Sequence, residues 1–117
     1  MPEKIVTNAD LEKILDTSDQ WIQERTGIRE RRVAHENENS SDMAEIAALR
    51  AMRAAAVEPE EIDLIVVGTI TSDLVFPSTA CLIQARLDLS DCGAMDVNAA
   101  CSGFLYALSI ADKYVRC

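Results

Sequence analysis

The stretch Asp96-Val97-Asn98-Ala99-Ala100-Cys101-Ser102-Gly103-Phe104 decides how the chain is read. Ala94 to Val97 has the length of a short strand, and a run of small residues follows it. Phe104, Leu105, Leu108, Ile110, Ala111, Tyr114 and Val115 then form a helix that is apolar nearly all round until its last turn, which predicts a buried element. A strand feeding a helix through a tight turn is the building unit of layered α/β architecture.

The pattern continues upstream. Ile62 to Ile70 is a near-continuous apolar run, broken only by Asp63, Gly68 and Thr69, as expected of a strand covered on both faces. Glu58-Pro59-Glu60-Glu61 before it suits the start of a helical turn. Thr71 to Pro77 reads as a loop, after which Ser78 caps a helix to about Leu87. Further back, Ser41 is placed to cap a helix from Asp42 to Ala56, with Asp42, Glu45 and Arg53 on one side. Ala44, Ala47, Ala48, Ala51 and Ala55 lie on the opposite side, a face expected to approach a sheet closely.

At the N-terminal end, Thr7 followed by Asp10 has the form of a capping box, with a first helix ending near Asp16. Thr17 or Ser18 caps a second helix bearing Trp21, Ile22 and Arg25, which Gly27 can close. Ile28 to Ala34 is extended, and His35 to Ser41 is a polar loop. Two or three strands are too few for a sheet of usual size. The chain also ends at Cys117, directly after an apolar helix, so it is expected to be one domain or part of one.

Eleven Lys and Arg against twenty Asp and Glu give a net charge of −9, which disfavours binding to nucleic acid or to an anionic membrane surface. No apolar run approaches the roughly 20 residues that span a bilayer. Met1-Pro2-Glu3-Lys4-Ile5-Val6 lacks signal-peptide character, so a cytoplasmic, reducing compartment is expected. Cys81, Cys92, Cys101 and Cys117 form no C-x-x-C pair and have no ligand spacing to His35, the single histidine, so no metal site is expected. His35 lies in a polar loop and reads as a surface residue, not a general base.

Cys101 carries the chemistry. At a strand-to-helix turn, a helix N-terminus supplies N–H groups and partial positive charge, both of which favour thiolate over thiol. The same N–H groups, with Gly103 permitting close backbone approach, can hold an oxyanion formed on a thioester carbonyl. An inert cysteine packed in a tight turn fits these local features equally well. Trp21 and Arg25, at i and i+4, project from one helix face, where an adenine can stack on the ring and the guanidinium can hold phosphate. A Trp half-buried in the core with Arg across it fits the same spacing.

Spaced motifs add a further signal. Thr7-Asn8-Ala9-Asp10-Leu11-Glu12, Thr17-Ser18-Asp19-Gln20-Trp21, Arg25-Thr26-Gly27-Ile28-Arg29-Glu30-Arg31, Phe76-Pro77-Ser78, Asp96-Val97 and Ala100-Cys101-Ser102-Gly103-Phe104 together resemble the β-ketoacyl-acyl-carrier-protein synthase III family of bacterial type II fatty-acid synthesis. The resemblance runs through essentially the whole chain. It implies an α/β, thiolase-like layered fold, here the N-terminal portion with an incomplete sheet.

It also implies roles. Cys101 takes an acetyl group from acetyl-CoA, which is a substrate and not a cofactor, and malonyl-acyl-carrier protein then decarboxylates and attacks the acyl thioester. The family's matching Trp and Arg assign Trp21 to the CoA adenine and Arg25 to its phosphates, with Thr17 as a weaker contact. Phe76 corresponds to a residue that crosses a homodimer interface and closes the partner's acyl pocket; alternatively it pins its own loop. The family's first strand precedes Pro2-Glu3, and its catalytic His and Asn come from a C-terminal half. A noncatalytic piece that binds CoA or a partner chain is therefore the alternative, and hydroxymethylglutaryl-CoA or polyketide condensing families are a lesser one.

Overall fold

The computed structural model describes residues 1–117. The chain forms two compact units, Met1–Glu38 and Asn39–Cys117.

The first unit is built on β1 (Lys4–Thr7) and β2 (Glu30–Val33), paired antiparallel with Lys4 opposite Val33 and Thr7 opposite Glu30. β1 lies outside the strands that the sequence pattern predicts, because four residues of mixed polarity carry too little periodicity to declare a strand. Two helices, α1 (Asn8–Glu12) and α2 (Asp19–Thr26), lie between the strands in sequence. Thr7 caps α1 as expected: its hydroxyl accepts from the Asp10 N–H at 3.2 Å, and the Asp10 carboxylate accepts from the Thr7 N–H at 3.0 Å.

α1 stops at Glu12 instead of reaching Asp16, since the N–H groups of Ile14 and Leu15 both turn back to the Leu11 carbonyl. The exposed Ile14 and Leu15 gain no burial that would extend it. Of the two candidate caps for α2, Ser18 takes the role, accepting from the Trp21 N–H at 3.1 Å. Gly27 closes the helix at φ 72°, in the left-handed region that glycine enters without strain.

The second unit opens with α3 (Ser40–Ala55) and a single 3-10 turn at Pro59–Glu61. The cap of α3 is Asn39, not Ser41. Ser41 is buried and gives both its N–H and its hydroxyl to the Asp73 carboxylate, so it cannot serve as the cap. The alanine side of α3 does not meet the sheet either: α3 packs along α4 (Thr79–Arg86), and Ala47, Ala51 and Ala55 remain exposed. Arg86 on α4 reaches Asp42 at 2.7 Å and Glu45 at 3.4 Å, ion pairs that run between the two helices.

β3 (Leu64–Gly68) and β4 (Gly93–Val97) pair in parallel, with Leu64 opposite Gly93 and Gly68 opposite Val97, a pairing that the long connection between them permits. Ser78 caps α4, and α5 (Gly103–Arg116) follows β4. The small core gathers Ala80, Ile83, Leu89, Cys92 and Ala107. Two expectations of burial are corrected. β3 is half-buried, and α5 buries only Gly103 and Ala107, with Phe104 72% and Val115 87% exposed. One side of α5 lies against β3, and its remaining apolar sides have nothing over them.

Candidate active site

The turn bearing Cys101 is set by two glycines. A Cβ built on Gly68, at the end of β3, would lie 2.8 Å from both the carbonyl carbon and the oxygen of Gly103. The strand end and the first residue of α5 therefore touch backbone to backbone. Between β4 and α5 the chain makes one 3-10 turn, Ala100–Ser102, with Ala100 at φ 45°. Alanine rarely occupies that left-handed region, so the tight turn holds it there. Cys101 emerges from this turn as a free thiol exposed to solvent.

Within the turn, the N–H groups of Ser102 and Gly103 are taken by the carbonyls of Ala99, at 2.9 Å, and Ala100. A 3-10 turn ahead of a helix satisfies such orphan donors locally. Gly103 serves the contact with Gly68.

A carboxylate missed in the sequence locks β4 in place. Asp96 accepts from the N–H groups of Thr79 and Ala80, each at 2.8 Å, so it sits on the N-terminus of α4. The loop before α4 is tied at its other side by Asp73 to Ser41, and by the Ser40 hydroxyl donating to the Thr71 carbonyl at 2.7 Å. Phe76 stands on that loop 87% exposed, so it does not pin the loop to its own core, and Leu74 and Val75 beside it are exposed as well.

In the first unit, Trp21 and Arg25 are brought together, the guanidinium carbon lying 6.0 Å from the ring centroid. Trp21 is 56% exposed, and Ile22 is the residue α2 buries. Thr17 is half-buried one position before the Ser18 cap, its N–H bonded to the Leu15 carbonyl. The Asp19 carboxyl is held below the usual carboxylate range, chiefly by the Asn8 side-chain amide and then by that of Gln23. His35 is exposed and joins a local turn, its N–H donating to the Glu38 carboxylate. Among the other thiols, Cys92 is buried, Cys81 intermediate and Cys117 exposed. No helix is long and apolar enough to cross a membrane.

Known proteins resemble the chain in sequence and in fold. The family profile described as 3-oxoacyl-[acyl-carrier-protein] synthase III covers residues 95–117, the segment that holds the end of β4, the Cys101 turn and α5. The chain is 66% identical over 116 residues to β-ketoacyl-[acyl-carrier-protein] synthase III of Xanthomonas euvesicatoria pv. vesicatoria, covering 99% of this chain and 36% of that protein. The crystal structure of 3-oxoacyl-[acyl-carrier-protein] synthase III from Aquifex aeolicus superposes with a TM-score of 0.92 at 54% identity, over 99% of this chain and 37% of the other. A priming β-ketosynthase from the R1128 polyketide biosynthetic pathway gives a TM-score of 0.87 at 41% identity, over 94% and 33%. The thiolase-like α/β fold expected from the motifs is thus the fold of the matched part of these structures. The chain spans about a third of the length of the relatives it matches.

Proposed function

We propose that this chain, which resembles β-ketoacyl-acyl-carrier-protein synthase III along its whole length, carries the nucleophile and part of the CoA site of an acyltransferase that initiates type II fatty-acid synthesis. The observation that carries the reading is Cys101, exposed on the turn between β4 and α5, inside the segment matched by the family profile. All 117 residues are read as the N-terminal part of one thiolase-like condensing domain of a cytoplasmic enzyme.

In the first half-reaction the Cys101 thiolate attacks the thioester carbonyl of acetyl-CoA; the carbonyl carbon's bond to the CoA sulfur breaks, CoA leaves, and the acetyl group stays on Cys101. Malonyl-acyl-carrier protein then loses carbon dioxide, and the resulting carbanion attacks the acetyl thioester. The cysteine is released and a β-ketoacyl-carrier protein is formed. Trp21 stacks on the adenine, Arg25 holds the phosphates, and Thr17 adds a weaker contact. Phe76, presented to solvent on an anchored loop, closes the acyl pocket of a partner subunit in a homodimer.

The test is mass spectrometry after treatment with acetyl-CoA. One acetyl adduct on Cys101, absent from Cys101→Ser, is the expected outcome; an unmodified Cys101 counts against the acylation step. A second reading, a noncatalytic piece that pairs with another chain, is favoured by one observation: the apolar groove along β3, β4 and α5 stands open. That reading keeps CoA binding or partner binding and gives no adduct.

A further inference from the structure

Asn8 is 1% exposed, and a buried side-chain amide needs partners for each of its polar atoms. It has them. Its Nδ2 donates to the Asp19 carboxylate and to the Ile28 carbonyl, both at 2.8 Å, and its Oδ1 accepts from the Arg31 guanidinium at 2.7 Å. Its backbone N–H donates to the Arg29 carbonyl at 3.1 Å. Asp19 is the first residue of α2 and Ile28 lies two residues beyond its last, so one side chain grips the helix at both ends.

α2 has eight residues and buries only Ile22. A helix that short is marginal by itself, and one buried side chain is a weak anchor. The polar network thus fixes where α2 stands. Trp21 and Arg25 are on the same helix, and their 6.0 Å separation and outward exposure depend on its position.

We propose that Asn8 is a positioning residue for the adenine-nucleotide end of CoA, acting through α2 on Trp21 and Arg25. This rests on the reading of those two residues as CoA contacts. Asparagine suits the place because it donates to one carboxylate while accepting from one guanidinium. An Asp there turns an acceptor toward Asp19, and an Ala leaves the Asp19 carboxylate and the Arg31 guanidinium short of a partner.

Trp21 is the single tryptophan, so its emission reports on this helix directly. The experiment titrates CoA into the 117-residue chain and follows Trp21 fluorescence, alongside amide hydrogen exchange across Met1–Glu38. Asn8→Ala should weaken CoA binding about tenfold and speed exchange within α2 by a similar factor, as expected for lost bonds to charged groups. Exchange in Asn39–Cys117 should stay unchanged. Asn8→Asp alone sets two carboxylates face to face, whereas Asn8→Asp with Asp19→Asn restores a hydrogen bond with donor and acceptor reversed. The double variant should recover part of the CoA affinity that the single variant loses, which a general loss of folding would not produce. Unchanged CoA affinity in Asn8→Ala, or a double variant no better than Asn8→Asp, overturns the proposal. If the unaltered chain gives no CoA-dependent signal, the CoA reading of Trp21 and Arg25 fails, and the exchange comparison still decides whether Asn8 holds α2.

Discussion

Gly68 and Gly103 meet where β3 ends and α5 begins, and the two glycines are not equivalent. A methyl group on Gly68 runs into the Gly103 carbonyl at 2.8 Å, and backbone cannot swing aside as a side chain tip can. A methyl on Gly103 comes no closer than 3.6 Å to Gly68, an ordinary contact. Gly68→Ala should therefore cost about 1–3 kcal/mol, as overpacking does, and slow acetylation of Cys101 by displacing its turn. Gly103→Ala should change stability by less than about 1 kcal/mol, since alanine is the better helix former. Urea unfolding with adduct yield measured on the same samples checks both; equal losses in the two variants would contradict the asymmetry. The nucleophile was legible in the sequence because a cysteine among small residues after a strand has a restricted local meaning. Gly68 was not, because its reason to be glycine lies 35 positions away in the chain, at Gly103.

In three helices the fold lowers the pKa of a carboxyl in the first turn. Lys13, then Thr7, holds the Asp10 carboxyl of α1 well below its usual range. Asn8 and then Gln23 lower Asp19 in α2, and the Asn39 N–H followed by Arg86 lowers Asp42 in α3. Each folded pKa lies below the unfolded value of about 4, so the folded chain binds fewer protons. Their contribution is present above that value and is lost as pH falls through the lowered folded values. Amide protection at the starts of α1, α2 and α3 should accordingly decline as pH drops below about 4, while α5, with no acid in its first turn, keeps its protection to lower pH. Hydrogen exchange measured at stepped pH distinguishes this from an outcome in which α5 loosens first. Helix starts are also the most legible elements: Thr7 and Ser78 cap where their spacing places them, and Ser18 is one of the two residues open for the cap of α2. The cap of α3 falls on Asn39 and not on Ser41 because the Asp73 contact draws Ser41 inward, a contact that its local sequence does not announce.

For the molecule as a whole, apolarity identified the elements that need cover and could not say whether cover is present. α5 has the composition of a buried helix, yet Phe104, Leu105, Tyr106, Leu108, Tyr114 and Val115 are exposed. With Leu64, Val66 and Met95 of the sheet, part of this surface lines an open groove of about 1030 Å³. An exposed apolar surface of this kind drives association, because burying it releases about 25 cal/mol for each Å² of apolar area. The 117-residue chain should therefore self-associate in a concentration-dependent way and bind a hydrophobic dye. Leu108→Glu with Val115→Lys puts opposite charges on positions that are already exposed, so helix content should be retained while association falls. Sedimentation velocity across a concentration series reads the result. A chain that stays monomeric at every concentration, or a double variant that associates as strongly as the parent, would show that this face does not drive assembly and would move attention to the exposed Leu74-Val75-Phe76 loop.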